Sequence, residues 1–359
     1  MSRSALDWLL PLLVCPVCGS ALAYLQRDVD GDGVVGHEGA CAERYPVIDG
    51  VPRLLVGPFR REVVGSHGAW FEPDPLRREL AERWAGGGAG RDAVVRDFDY
   101  EWAHFPEMGT EERGPLFESY FDLVPAAAFT RDAVALDCGA GSGRWAREVV
   151  ARGPRVIAMD LGLSIERLAR SARDAHLACV QADIGALPIA DGAVDWAYCL
   201  GVLHHIARPA EALGQMRRAT KPGGFVLAYV YYALEGRPIW YRSLFAIVDR
   251  VRRTISHLPR PAARAVADLF AVTVYWPLAR SAGLAMRLGA SGLANTIPLS
   301  FYRDTSLRTM RNDALDRFGT KVERRFTRTQ LAGLLGSAGL RDVTISDREP
   351  YWHALGRAP

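Results

Sequence analysis

Val134-Ala135-Leu136-Asp137-Cys138-Gly139-Ala140-Gly141-Ser142-Gly143-Arg144 decides the reading of this chain. An apolar run of strand character ends on an acid, passes through three glycines and gives way to residues that predict a helix. Glycine has no Cβ and tolerates positive φ, so such a loop lets the backbone pass close beneath a ligand. Its spacing is G-x-G-x-G. A dinucleotide loop would read G-x-G-x-x-G, and Arg144 stands where its third glycine would be.

Outward from the loop, apolar runs alternate with amphipathic ones. Strands are expected over 133–137, 156–160, 178–182, 194–200 and 225–231, and helices over 144–151, 164–175 and 209–219. That alternation predicts a parallel sheet with helices on both faces. Beyond Tyr232 it stops. Residues 237–289 read as helical, and regularity returns with a helix at 327–338 and strands at 341–345 and 351–356.

The first three strands lead to acids: Asp137, then Asp160 after Val156-Ile157-Ala158-Met159, then Asp183 in Cys179-Val180-Gln181-Ala182-Asp183-Ile184. Singly, an acid at a strand end is most often a cap or turn residue. Three in succession behind G-x-G-x-G resemble the cofactor site of class I S-adenosylmethionine-dependent methyltransferases. Asp191-Gly192-Ala193-Val194-Asp195-Trp196-Ala197-Tyr198-Cys199-Leu200, continued by Gly201-Val202-Leu203-His204-His205, resembles that family's fourth strand. Lys221-Pro222-Gly223-Gly224 resembles the turn before its fifth.

The resemblance covers residues 95–232 and 326–357. It implies an α/β fold: a Rossmann-like, doubly wound sheet of seven strands, the last antiparallel, with a helical insertion after strand five. It also implies S-adenosyl-L-methionine as cofactor. Asp137 would meet its ammonium, Gly139, Ala140, Gly141 and Gly143 would pass beneath it, and Asp160 would accept from the ribose hydroxyls. Asp183 and Ile184 would face the adenine, with Leu161 and Leu200 beside the ligand. On the acceptor side, His205 and then His204 are the candidate bases, a structural or cofactor-lining role being the alternative for both. Phe98-Asp99-Tyr100-Glu101-Trp102 resembles an aromatic segment that folds over the cofactor in such proteins. Tyr100, Trp102, Tyr302, Arg303 and Asp313 are candidate substrate contacts, and core packing or a solvated helix face would account for them equally well.

At 359 residues, with 49% hydrophobic and 24% charged, the chain suits one large soluble domain plus a smaller appendage. The divisions expected are a cysteine module at 1–57, a connector at 58–92 and a methyltransferase domain at 93–359, with 236–325 as insertion or lid. Gly86-Gly87-Gly88-Ala89-Gly90 marks the boundary. The net charge is only +3, yet residues 236–328 hold seventeen Lys/Arg against six Asp/Glu. Such an excess suits anionic substrates, RNA or a membrane surface.

Cys15-Pro16-Val17-Cys18-Gly19 has the spacing of a metal knuckle, and Cys41 would supply a third thiolate. The unit resembles zinc-ribbon-like modules, including the activator subunits of tRNA methyltransferases. Where that group often has a further cysteine, Glu38 stands here, and the adjacent His37 would complete a Cys3His zinc set. A metal-free module held by its apolar core is the alternative. The unit is also similar to the module of a guanine methyltransferase of ribosomal RNA, but Tyr45 stands where that group has a histidine, which weakens an RNA reading.

Cys138, Cys179 and Cys199, scattered in apolar contexts, suit a reducing cytosol. The apolar start at 8–14 is too short for a membrane span, so a cytoplasmic location is expected. The expected function is in-line methyl transfer to O, N or C of a small or medium metabolite: a sugar, polyketide, quinone or glycan end. RNA methylation is the second reading. The third is a non-catalytic membrane-associated or scaffolding protein, with the apolar residues 265–279 docking on lipid or on a second subunit. The sequence leaves the oligomeric state open.

Overall fold

A computed structural model describes residues 3–39, 41–86, 93–104, 110–172, 174–319, 323–348 and 351–359. Most of the expected glycine-rich boundary, residues 87–90, lies outside the described residues. The strands are β1 (Ala23–Arg27), β2 (Gly33–Gly36), β3 (Arg44–Ile48), β4 (Val51–Leu54), β5 (Val134–Cys138), β6 (Arg155–Asp160), β7 (Leu177–Ala182), β8 (Val194–Leu200), β9 (Thr220–Tyr229), β10 (Arg341–Ile345) and β11 (His353–Arg357). The helices before the glycine loop are α1 (Arg3–Leu9), α2 (Arg60–Ser66), α3 (Gly68–Phe71), α4 (Pro75–Ala85), α5 (Ala93–His104) and α6 (Thr110–Tyr120). After it come α7 (Arg144–Ala151), α8 (Ser164–Ser171), α9 (Pro209–Ala219), α10 (Ile239–Ile255), α11 (Arg260–Phe270), α12 (Trp276–Arg287), α13 (Ser291–Thr296), α14 (Leu307–Gly319) and α15 (Arg328–Ser337).

Strands β5 to β11 form the expected seven-stranded sheet, in the order β7-β6-β5-β8-β9-β11-β10. The pairs of β5 with β6 and β8, of β6 with β7 and of β8 with β9 are parallel, while β11 runs antiparallel to β9. β5, β7 and β8 are almost wholly buried, as strands covered on both faces must be. An ion pair ties the sheet at the bottom of β5: Asp195 accepts from the Val134 amide at 2.8 Å and meets Lys221 Nζ at 2.7 Å. This gives Lys221 a structural task at the start of β9, which begins at Thr220 rather than at the expected residue 225.

The cysteine module does not stand apart from this sheet. β1 to β4 form an antiparallel meander, and β4 then pairs in parallel with β7 through Arg53↔Gln181 and Leu54↔Ala182, so the eleven strands form one continuous sheet. The apolar start of the chain seals the same side. Leu9 and Leu13 are buried, Trp8 Nε1 donates to Ala175 O at 2.8 Å, and the Val14 amide donates to Pro188 O at 3.0 Å. Leu9 and Leu13 therefore belong to the core, with Trp8, Leu10 and Leu12 packed against it.

The insertion has a core of its own. Ala263, Ala267, Ala271 and Tyr275 pack against Met310, Ala314 and Phe318. The run Ala271–Tyr275 is a π-helical segment joining α11 to α12, so the expected apolar stretch at 265–279 is helical throughout. No described helix is long and apolar enough to cross a membrane.

Candidate active site

Carboxyl ends of parallel strands, where the strand order reverses, are where ligands bind in doubly wound sheets. Here that place is between β5 and β8. The loop after β5 folds back on β6: the Gly139 and Ala140 amides both donate to Met159 O, at 2.8 and 2.9 Å, and the Gly141 amide donates to Asp160 Oδ2 at 2.8 Å. Gly139 has φ +87° and a Cβ there would meet Val202 at 2.3 Å, while at Gly141, with φ +54°, it would meet the Trp102 indole at 2.7 Å. Only glycine fits either place. The indole of Trp102, carried by α5, therefore lies directly on the loop.

A cavity of about 240 Å³ opens above this loop. Its floor includes Gly139, Ala140, Leu200 and Gly201, and α5 contributes Phe98, Glu101 and Trp102. The roof comes from the insertion, with Tyr302, Asn312, Asp313, Asp316 and Arg317. Of the expected substrate contacts, Trp102, Tyr302 and Asp313 thus border the cavity. Tyr100 and Arg303 do not. Tyr100 turns outward to His104, ring centroids 4.1 Å apart, and packs on the insertion's core. Arg303 is spent on Ser300 O and on Asp304.

The two histidines also stand off the cavity wall. His204 is completely buried, stacks on Tyr231 at 4.0 Å, and its ring nitrogens have no hydrogen-bond partner among the described residues. Burial, with His205 adding to it, holds its proton affinity far below the usual histidine range, which suits packing and not proton abstraction. His205 lies behind Asp316, with Nε2 3.8 Å from Asp316 Oδ1. Asp316 does face the cavity and accepts from Tyr231 Oη at 2.5 Å.

Among the cavity residues that sequence reasoning missed are Glu101, Asn312 and Asp316. Glu101 sat unremarked inside a quoted aromatic segment, and Asn312 and Asp316 lay in a charged stretch that reads as a solvated helix. Burial pushes the Glu101 carboxyl well above the usual range, and the charges of Asp316 and Asp313 add to this. Asp313 is raised as well, mainly by burial, against the opposing pull of Arg144.

The residues expected to hold S-adenosylmethionine suit its parts. Asp137 is buried with Oδ2 lacking any hydrogen-bond donor among the described residues, and burial, then Asp160, pushes its carboxyl up to about 8. A buried acceptor without a donor matches an ammonium group. Asp160 takes the Gly141 amide on Oδ2 and the Gly162 amide on Oδ1, each at 2.8 Å. A carboxylate has about four lone-pair sites, so two remain for a vicinal diol. Asp183 caps the following turn by accepting from Gly185 N at 2.8 Å and stays partly exposed, with Ile184 beside it. Asp137, Gly141, Gly143, Asp160, Leu161, Asp183 and Ile184 lie outside the cavity lining, and α5 covers the loops at Gly141 and Gly162 through Trp102 and Asp99.

Residues 136–228 match the family model for a methyltransferase domain. That stretch is a class I methyltransferase domain. The cofactor of its family is S-adenosylmethionine, as the sequence resemblance implied. The chain is 32% identical over 176 residues to an uncharacterised 37.1 kDa protein in transposon Tn4556 of Streptomyces fradiae, covering 46% of this chain and 48% of that one. It is 36% identical over 126 residues to malonyl-[acyl-carrier protein] O-methyltransferase of Pectobacterium atrosepticum, covering 34% and 48%. The chain thus spans about half the length of these curated relatives. Among solved structures, a complex of the Haloferax volcanii Trm112 methyltransferase activator with a methyltransferase aligns at 15% identity and a TM-score of 0.40, over 76% of this chain and 100% of that one.

The four expected metal ligands converge in the module ahead of the methyltransferase domain. Cys15, Cys18, His37 and Cys41 place their ligand atoms within 4.8 Å of one another. Cys41 Sγ lies 3.7 Å from Cys15 Sγ and 3.1 Å from Cys18 Sγ, and His37 Nε2 is 3.2 Å from both Cys18 and Cys41. Zn–S bonds of about 2.3 Å in a tetrahedron give similar separations, so this Cys3His group could hold zinc. His37 Nδ1 accepts the Gly39 amide at 3.0 Å, which leaves the proton of the neutral ring on Nε2. Ligation through Nε2 therefore requires that amide contact to be given up.

Proposed function

We propose that the protein is an S-adenosylmethionine-dependent methyltransferase acting on a small or medium metabolite. The observation that carries this reading is one roofed cavity running from Gly139 and Leu200 to Asp313 and Asp316. A space of about 240 Å³ under an insertion suits a compact acceptor.

The cofactor supplies an electrophilic methyl group on a sulfonium, a leaving group good enough that alignment and desolvation are the main tasks. The protein's residues do that work. Asp137, the glycine loop and Asp160 would hold the donor, and Phe98, Trp102 and Tyr302 exclude water from the cavity. If the acceptor is a hydroxyl or an amine, a proton must leave it. Asp316 takes over the role first assigned to His205: its carboxylate faces the cavity, and Tyr231 and His205 orient it from behind. Glu101 and Asn312 would bind the acceptor's polar groups.

The test is transfer of label from methyl-labelled S-adenosylmethionine into a metabolite extract and, in parallel, into bulk tRNA and rRNA. Label entering small molecules alone is the expected result. Label entering RNA would replace this reading with the RNA one that the basic insertion favours.

A further inference from the structure

α10 has two apolar faces with different fates. Tyr241 and Phe245 line the cavity, whereas Trp240, Leu244, Ile247 and Val251 are exposed. At about 100° per residue these four fall within roughly 60° of arc, a continuous apolar stripe. Ile239, at the start of the helix, is 81% exposed. Elsewhere in the insertion Leu269, Val272 and Trp276 are exposed as well.

The charge around the stripe is one-sided. On the same helix Arg250 lies about 90° from the middle of the stripe and Arg242 and Arg253 are exposed on the far side, while its single acid, Asp249, is held by Arg252 at 2.8 Å and by Arg253 at 2.7 Å. We propose that α10 and the adjoining insertion dock on an anionic lipid bilayer, the apolar stripe entering the headgroup boundary with Arg250 beside it to meet lipid phosphates and the basic excess of the insertion adding long-range attraction. Charge selects this occupant. Two copies of the insertion, each with sixteen basic residues against six acidic, would repel across a self-interface, while anionic headgroups complement them. RNA would match the arginines but leave the aliphatic stripe in water.

The same helix walls the cavity, so docking would bring the active site to the membrane surface. An acceptor with a lipophilic part could then present its polar end to Asp316. This last step rests on the methyltransferase reading; the docking does not.

The full-length protein is sedimented with vesicles of phosphatidylcholine alone or mixed with phosphatidylglycerol, at low and high salt. We expect binding to the mixed vesicles, weakened by salt, and a blue shift of tryptophan fluorescence. Leu244→Glu/Ile247→Glu should weaken binding at least roughly tenfold, the equivalent of losing one buried aliphatic side chain. Thermal unfolding and cofactor binding should stay unchanged. No sedimentation of the wild type, equal sedimentation of the variant, or a wild-type dimer that the variant dissociates would overturn the proposal. Loss of cofactor binding in the wild type would remove the methyltransferase reading and leave the vesicle result standing.

Discussion

Arg53 on β4 and Glu166 on α8 meet at 2.9 Å with the arginine entirely buried, and this pair joins the cysteine module to the methyltransferase sheet. The same Nη1 donates to Gln181 Oε1 at 2.9 Å, and His67 Nε2 lies 3.4 Å from Glu166. The residues come from four different segments, so the seam is a polar network around a buried cation, with Arg170 reaching Glu166 Oε2 at 3.5 Å from the exposed side.

Removing that cation leaves a largely buried carboxylate without its main partner. Arg53→Ala should cost about 3–5 kcal/mol, and Arg53→Met less, because a stem of similar volume refills the space. Thermal unfolding followed by circular dichroism measures both. Equal stability of Arg53→Ala and wild type would show that the seam carries no load.

Cofactor affinity tests the acid behind the loop. Asp160→Ala should weaken S-adenosylmethionine about ten- to a hundredfold, the worth of one or two charge-assisted hydrogen bonds. Isothermal titration calorimetry reads this directly. An unchanged affinity would remove Asp160 from the ribose site.

The sign of the pH response follows from two raised carboxyls. Asp137 is pushed up to about 8 and Asp160 to about 6, both mainly by burial, with backbone amides opposing the rise at Asp160. Both must be ionised to receive an ammonium and a ribose diol, so affinity should climb as pH rises through 6 and again through 8. Stability should move the other way. A carboxyl raised on folding favours the folded state most below its unfolded pKa of about 4, and that contribution is lost as pH climbs toward the folded value. Asp137→Asn should flatten both upper limbs, as calorimetry and melting across that range would show.

Asp316 and the histidines can be separated by kinetics once an acceptor is in hand. For a hydroxyl or amine acceptor, Asp316→Asn should lower kcat about 10²–10⁴-fold and leave cofactor affinity intact. His205→Gln should shift the pH profile, and His204→Phe should change stability alone. A fully active Asp316→Asn would return the base to another group.

Metal analysis decides the cysteine group. Protein purified without chelators should carry about one equivalent of zinc, and Cys18→Ser should lose it. Metal-free protein that melts like the untreated sample would support a module held only by Leu9, Leu13 and Tyr45.

Local signals made the methyltransferase half legible. β8 and α9 fall where the apolar periods put them, and α7 starts at Arg144, the residue that set the loop apart from dinucleotide loops. Cys15, Cys18, His37 and Cys41 were likewise readable, because ligand chemistry restricts residue type and spacing. What escaped was set by pairing distant in sequence. Nothing near Arg53 announces Gln181 as its strand neighbour, and an arginine between apolar residues reads as an edge position. Asp316 escaped for a related reason: only the packing of α14 against the domain turns one acid of a charged helix toward the cavity. The paired histidines drew notice as titratable groups, and the sequence could not show that their rings face inward.

The pairing of β4 with β7 has a consequence for how the protein can be cut. β7 would otherwise be the outer strand of the methyltransferase sheet, with the main chain of Gln181 and Ala182 open to any passing strand. A shortened protein beginning at residue 93 would expose that ladder and the apolar surface that Leu9, Leu13 and Leu54 cover. Its solubility would fail before its chemistry could be assayed. Strand β4 thus closes the edge of β7 against pairing with another chain, whether or not the cysteine group holds a metal.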